Sequence, residues 1–109
     1  GRLTEIIKTG GANVSPVEID QALVLYPGVR RAQTVGLPHT TLGDIVVSCV
    51  VPHDGVTLDP ASITSFLKAR LASYKVPRQI IFFREDELEI TGSGKVKVMR
   101  LRELVSARL

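Results

Sequence analysis

Apolar and polar positions along this chain repeat in two rhythms, and the switches between them mark the elements. A short apolar stretch, "TEIIKTGG" (residues 4–11), runs into Gly10-Gly11 and reads as a strand or turn that stops where the backbone needs positive φ. The rhythm then becomes helical. Ser15 is placed to cap, Pro16 suits the first helical position, and Glu18 completes an S-x-x-E box. Ile19, Ala22, Leu23 and Tyr26 follow at helical spacing, and Pro27-Gly28 ends the run.

"VRRAQTVGLP" (29–38) is a strand candidate that closes at Pro38. The valine-rich "GDIVVSCVVP" (43–52) is more continuously apolar, which predicts a central strand, paired hairpin-fashion with the one before it. Asp59 and Pro60 open a second helix with Ile63, Phe66, Leu67 and Arg70 on one face. "RQIIFFRE" (78–85) gives a further strand. Val98, Leu101, Leu104 and Val105 mark a terminal helix whose other face carries Arg100, Arg102 and Arg108. The pattern predicts an α+β domain: a small central sheet of about three strands covered by helices.

With 109 residues, one modest core is expected. Hydrophobic residues at 44% against 23% charged place the chain among folded globular sequences rather than disordered ones. No apolar run nears the roughly 20 residues of a membrane span. Gly1 leads straight into patterned sequence with no leader, so the chain is expected to be a piece of a longer, cytoplasmic protein. The lone Cys49, inside "IVVSCVV", is expected to be buried and inert. The net charge of +3 permits an anionic partner, but no aromatics alternate with the basic residues between 95 and 108, which argues against nucleic acid.

Two glycine-lysine spots could carry chemistry. In "ITGSGKVKV" (90–98), Lys95 follows two glycines that flank a serine. The phosphate-cradling pattern G-x-x-x-x-G-K-[ST] fails at both ends, because its first glycine is Glu89 and its hydroxyl is Val96. Lys95 therefore reads either as a mobile point charge on a closely approaching backbone or as a solvated turn lysine. Lys8 beside Gly10-Gly11 carries the same pair of readings. His39 and His53 stand far apart in polar loops with no ligand-spaced partners, so no metal site is expected. Glu85, Asp86, Glu87 and Glu89 read as a solvated acidic turn.

Four segments taken together narrow the choice. "GRLTEIIKTGGANVSPVEID", "YPGVRRAQTVGLPHTTLGDIVVSCVV", "LASYKVP" and "TGSGKVKVMRLRE" resemble, in this order and spacing, the C-terminal domain of the acyl-activating, adenylate-forming enzymes. That family includes acyl-CoA synthetases, luciferases and the adenylation domains of peptide synthetases. The resemblance spans essentially the whole chain, residues 1–109, and implies a mobile C-terminal lid whose large ATP- and acid-binding N-terminal domain is absent here. It implies ATP with Mg2+ and coenzyme A as co-substrates, and a carboxylic acid, expected to be fatty, that becomes an acyl-adenylate and then a thioester. Lys95 matches the catalytic lysine of the first step. Arg2 matches an arginine that contacts the nucleotide at the domain junction, and Lys8 a lysine brought to the adenylate in the second arrangement. Gly10 and Gly11 match the loop lining the thiol channel. Thr4 falls on the hinge, where relatives commonly carry lysine or aspartate, and Glu89-Ile90 replace the usual proline and base before the loop. A carrier-protein-loading enzyme and a non-catalytic binding module of the same fold are the alternative readings. The isolated domain is expected to be inactive.

Overall fold

The computed structural model describes residues 5–88 and 98–109. Its elements run β1 (Ile7–Thr9), β2 (Ala12–Val14), α1 (Pro16–Leu23), β3 (Val29–His39), β4 (Gly43–Pro52), α2 (Pro60–Lys68), β5 (Gln79–Phe82) and α3 (Val98–Ser106). The class is α+β, as expected. The sheet is larger than the three or so strands expected: among the described residues, five strands belong to it. The difference lies at the start, where residues 7–14 form a two-stranded hairpin pairing Ile7 with Val14, Lys8 with Asn13 and Thr9 with Ala12. Three-residue strands are too short for alternation to declare them.

β4 is central. It pairs antiparallel with β3 from Val29↔Pro52 to His39↔Gly43, with a register shift between Val29 and Arg31. Its start meets β1 at Thr9↔Gly43, and β5 runs parallel to it from Val47↔Gln79 to Val50↔Phe82. The parallel pairing requires a crossover, which α2 supplies.

Both faces of β4 are covered, which accounts for its nearly continuous apolar run. On one face Val35, Leu37, Val47, Cys49 and Val51 pack with Phe83, Leu88 and the α3 residues Leu101 and Val105. On the other, Ile7, Val14, Val46 and Val50 pack with Ile19 and Leu23 of α1 and Ile63 and Leu67 of α2. The one polar break, Ser48, bonds its hydroxyl to that of Thr34 across the strands at 2.7 Å, with both residues fully buried.

The helix ends differ from each other. Asp59 caps α2, its Oδ2 accepting from the Ser62 N–H at 3.3 Å. Ser15 stands at the α1 N-cap position with extended backbone but makes no side-chain cap bond. The expected box does not form, because Glu18 turns instead to Lys75, 2.9 Å away. Lys75 lies in a short 3-10 turn, Ser73–Lys75, which brings its ammonium to the Glu18 carboxylate.

The arginines expected on the outer face of α3 are each paired with a carboxylate. Arg100 pairs with Glu103, Arg102 with Glu5, and Arg108 with Glu87. The "solvated" acidic turn is a 3-10 turn, Glu85–Glu87, tied into the fold: Glu85 meets Arg31 at 2.9 Å, and Glu87 accepts from the Arg84 N–H at 2.7 Å. Glu89 lies outside the described residues.

Candidate functional site

Of the residues singled out in the sequence, Lys8, Gly10 and Gly11 are described; Arg2, Thr4 and Lys95 lie outside the described residues, as do Glu89 and Ile90. The three described residues share one hairpin, formed by β1 and β2. Gly10 has φ 55° and Gly11 φ 82°. Positive φ at both central positions of a two-residue loop is the signature of a type I′ turn, which matches the twist of the flanking strands and is closed to most side chains. Conformation alone therefore favours glycine at both positions.

The turn is docked. Its Gly10 N–H donates to the Leu42 carbonyl at 2.8 Å. Gly43, opposite Thr9 and itself at φ 81°, would bring a Cβ to 3.2 Å from the Lys8 carbonyl oxygen. The β3–β4 turn that receives the hairpin is held by His39, whose Nδ1 accepts from the N–H groups of Thr41 and Leu42, each at 3.2 Å. That is a structural use for His39 which the sequence left as a plain surface position.

Beside the turn there is room. A Cβ built on Gly11 meets nothing within 4 Å, and one on Gly10 meets only Leu42 Cδ2 at 3.7 Å. Lys8 is exposed next to this bare backbone. The described part of the site thus offers an ammonium and an unobstructed stretch of main chain, a pairing suited to passing a slender, anionic-headed molecule along the tip.

Elsewhere, the Cys49 thiol is pushed up to about 12 by its burial, with the negative charge of Asp20 adding to the effect. It is no nucleophile at neutral pH. One cleft of about 450 Å3, lined by Arg30, His53, Val56 and Arg84 among others, opens at the Pro52 end of β4. That end is about 30 Å from Gly43 at the usual rise per residue, so the cleft is separate from the hairpin.

Sequence reasoning missed the fasteners. The Arg108 guanidinium stacks on the Phe83 ring at 4.1 Å, donates to the Phe82 carbonyl at 2.7 Å and pairs with Glu87. It locks the far end of α3 onto the segment ending at Leu88. The acidic turn and the late arginines were visible separately; nothing in the sequence joined them.

Comparison with known proteins decides the family. Residues 18–95 match the model of the AMP-binding enzyme C-terminal domain. The chain belongs to this family. Among curated relatives it is 40% identical over 95 residues to a feruloyl-CoA synthase of Amycolatopsis, covering 87% of this chain and 19% of that protein. An indoleacetate–CoA ligase of Aromatoleum aromaticum is 38% identical over 108 residues, covering 99% of the chain and 21% of the relative. The crystal structure of apo MatB from Rhodopseudomonas palustris superposes with a TM-score of 0.86 at 38% identity, over 95% of this chain and 20% of that one. The chain spans about a fifth of the length of these relatives. Among the described residues, no helix is long and apolar enough to cross a membrane.

Proposed function

We propose that this domain serves an AMP-forming acid–thiol ligase of the acyl-CoA synthetase type, supplying Lys95 to adenylate formation and the β1–β2 hairpin to thioester formation. The observation that supports this most is chain-long similarity to CoA ligases at 38–40% identity together with membership of the AMP-binding enzyme C-terminal domain family. ATP with Mg2+, the acid and most of the contacts to them belong to a larger domain preceding this one, to which Arg2 and the hinge residue Thr4 lead.

The chemistry explains the need for a lysine. In the first step a carboxylate oxygen attacks the α-phosphorus of ATP and pyrophosphate leaves, so two anionic groups must meet. An ammonium on a glycine loop neutralises both and orients them. In the second step the CoA thiol attacks the acyl carbonyl and AMP leaves. Here the open flank of Gly10-Gly11 lets the pantetheine arm pass, while Lys8 faces the adenylate phosphate. The names of the relatives favour CoA over a carrier protein as thiol donor.

The test is Lys95→Ala in the full-length enzyme. Adenylate formation, followed by ATP–pyrophosphate exchange, should fall by about two to three orders of magnitude, the scale on which a preorganised charge stabiliser acts. Thioester formation from supplied acyl-adenylate should be largely retained. Equal loss in both half-reactions contradicts the assignment.

A further inference from the structure

The turn that receives the β1–β2 hairpin is held from inside by a ring nitrogen. β3 ends at His39 and β4 begins at Gly43, which sits at φ 81° and closes the loop between them. Asparagine and aspartate commonly bind the backbone two residues on in such turns, and here a histidine does so. The Nδ1 of His39 accepts from the N–H groups of Thr41 and Leu42, each at 3.2 Å, and meets the Thr41 hydroxyl at 3.3 Å. Backbone N–H groups only donate, so Nδ1 keeps its lone pair and the ring proton sits on Nε2. Leu42, fixed on one side by this bond, faces the hairpin with its carbonyl, which accepts the Gly10 N–H at 2.8 Å. Among the described residues β1 is registered on β4 through the one pair Thr9↔Gly43. With so short a pairing, the place of the hairpin tip depends on where residues 42 and 43 stand.

We propose that His39 is a positioning residue for the thioester step, setting the Gly10-Gly11 tip and the adjoining Lys8 through Leu42. The proposal rests on the function proposed above, in which this tip borders the path of the thiol arm. The ring itself touches no reactant. It acts through two hydrogen bonds in series, Leu42 N–H to His39 and Gly10 N–H to the Leu42 carbonyl. Without the acceptor, the N–H groups of Thr41 and Leu42 must turn to water to be satisfied, and the Leu42 carbonyl turns with them. The hairpin then loses the bond that seats its tip, and the Lys8 carbonyl, which leaves only 3.2 Å for a Cβ at Gly43, loses its close fit. Neither apolar cluster draws on His39, Thr41 or Leu42, so the defect moves the tip and leaves the core intact.

Three variants of the full-length enzyme separate the ring from its nitrogen. His39→Phe keeps a ring and removes the acceptor. His39→Asn removes the ring but places Oδ1 as many bonds from Cα as Nδ1, whereas His39→Gln carries its oxygen one bond too far. Amide hydrogen exchange of the hairpin, residues 6–14, should be about tenfold faster in His39→Phe and His39→Gln than in the parent, and near the parent rate in His39→Asn. In the same two variants kcat/KM for CoA, with supplied acyl-adenylate, should fall about tenfold, while ATP–pyrophosphate exchange stays within about twofold of the parent. His39→Asn should keep both activities. Equal loss in the two half-reactions marks a merely structural residue and overturns the proposal, as does a failure of asparagine to rescue. Should His39→Phe not fold, the asparagine and glutamine variants still decide, since equal CoA kinetics in the two would overturn it. The two readings fail separately. Parent-like hairpin exchange in His39→Phe removes this inference alone, whereas a parent enzyme that makes no acyl-adenylate removes the proposed function and the role drawn from it, with the exchange pattern unchanged.

Discussion

At Gly11 two explanations for one residue can be separated. The turn explanation needs only positive φ, and φ is 82° with nothing within 4 Å of the missing Cβ. Gly11→Ala should therefore destabilise by about 1–2 kcal/mol through backbone strain alone, read from the urea midpoint. Gly11→Asn should recover part of the loss, since asparagine tolerates the left-handed region. The channel explanation needs the space as well. If the thiol arm passes here, Gly11→Asn slows the thioester step of the full-length enzyme even though the turn is again at ease. Normal thioester kinetics in that variant would leave the glycine a turn residue only. The two-glycine turn itself was legible in the sequence, because few residues other than glycine fit two successive positive φ values. Its docking on Leu42 was not, because a hydrogen bond across 32 residues has no local pattern.

Among the elements, local signals succeeded where the partner lay within a few residues. Asp59 reaches the Ser62 N–H, three positions on, and α2 opens at Asp59-Pro60 as expected. Ser15 and Glu18 carry an equally good local pattern, yet Glu18 is claimed by Lys75, 57 residues away. The same competition governs the acidic turn Glu85–Glu87. The Arg84 N–H, then the charges of Arg108 and Arg84, hold the Glu87 carboxyl below the usual carboxylate range. A depressed folded-state pKa means that the unfolded chain takes up the proton first. The contribution of Glu87 is then complete above the ordinary glutamate value of about 4.3 and is lost as pH falls through the depressed value below it. Urea titrations between neutral pH and pH 3 should show a steeper acid loss in the parent than in Glu87→Gln, and identical slopes would show that Arg108 is held by stacking and the Phe82 carbonyl alone.

For the molecule as a whole, two apolar clusters on opposite faces of one sheet make the domain a self-sufficient folding unit. Residues 1–109 alone should unfold in a single cooperative urea transition while showing no ATP–pyrophosphate exchange. Exchange by the isolated domain would mean that the nucleotide and acid sites are not in a preceding domain. The sequence by itself determined the class of fold, the central place of "GDIVVSCVVP", the inert Cys49 and the family, because periodicity, burial preference and ordered motifs are written in neighbouring residues. Only the tertiary structure decided the five-stranded sheet, the parallel β5, the pairing of the α3 arginines and the docking of the β1–β2 hairpin on Leu42. Each of these depends on which distant segment arrives at a given edge or face, and short-range pattern carries no record of that choice.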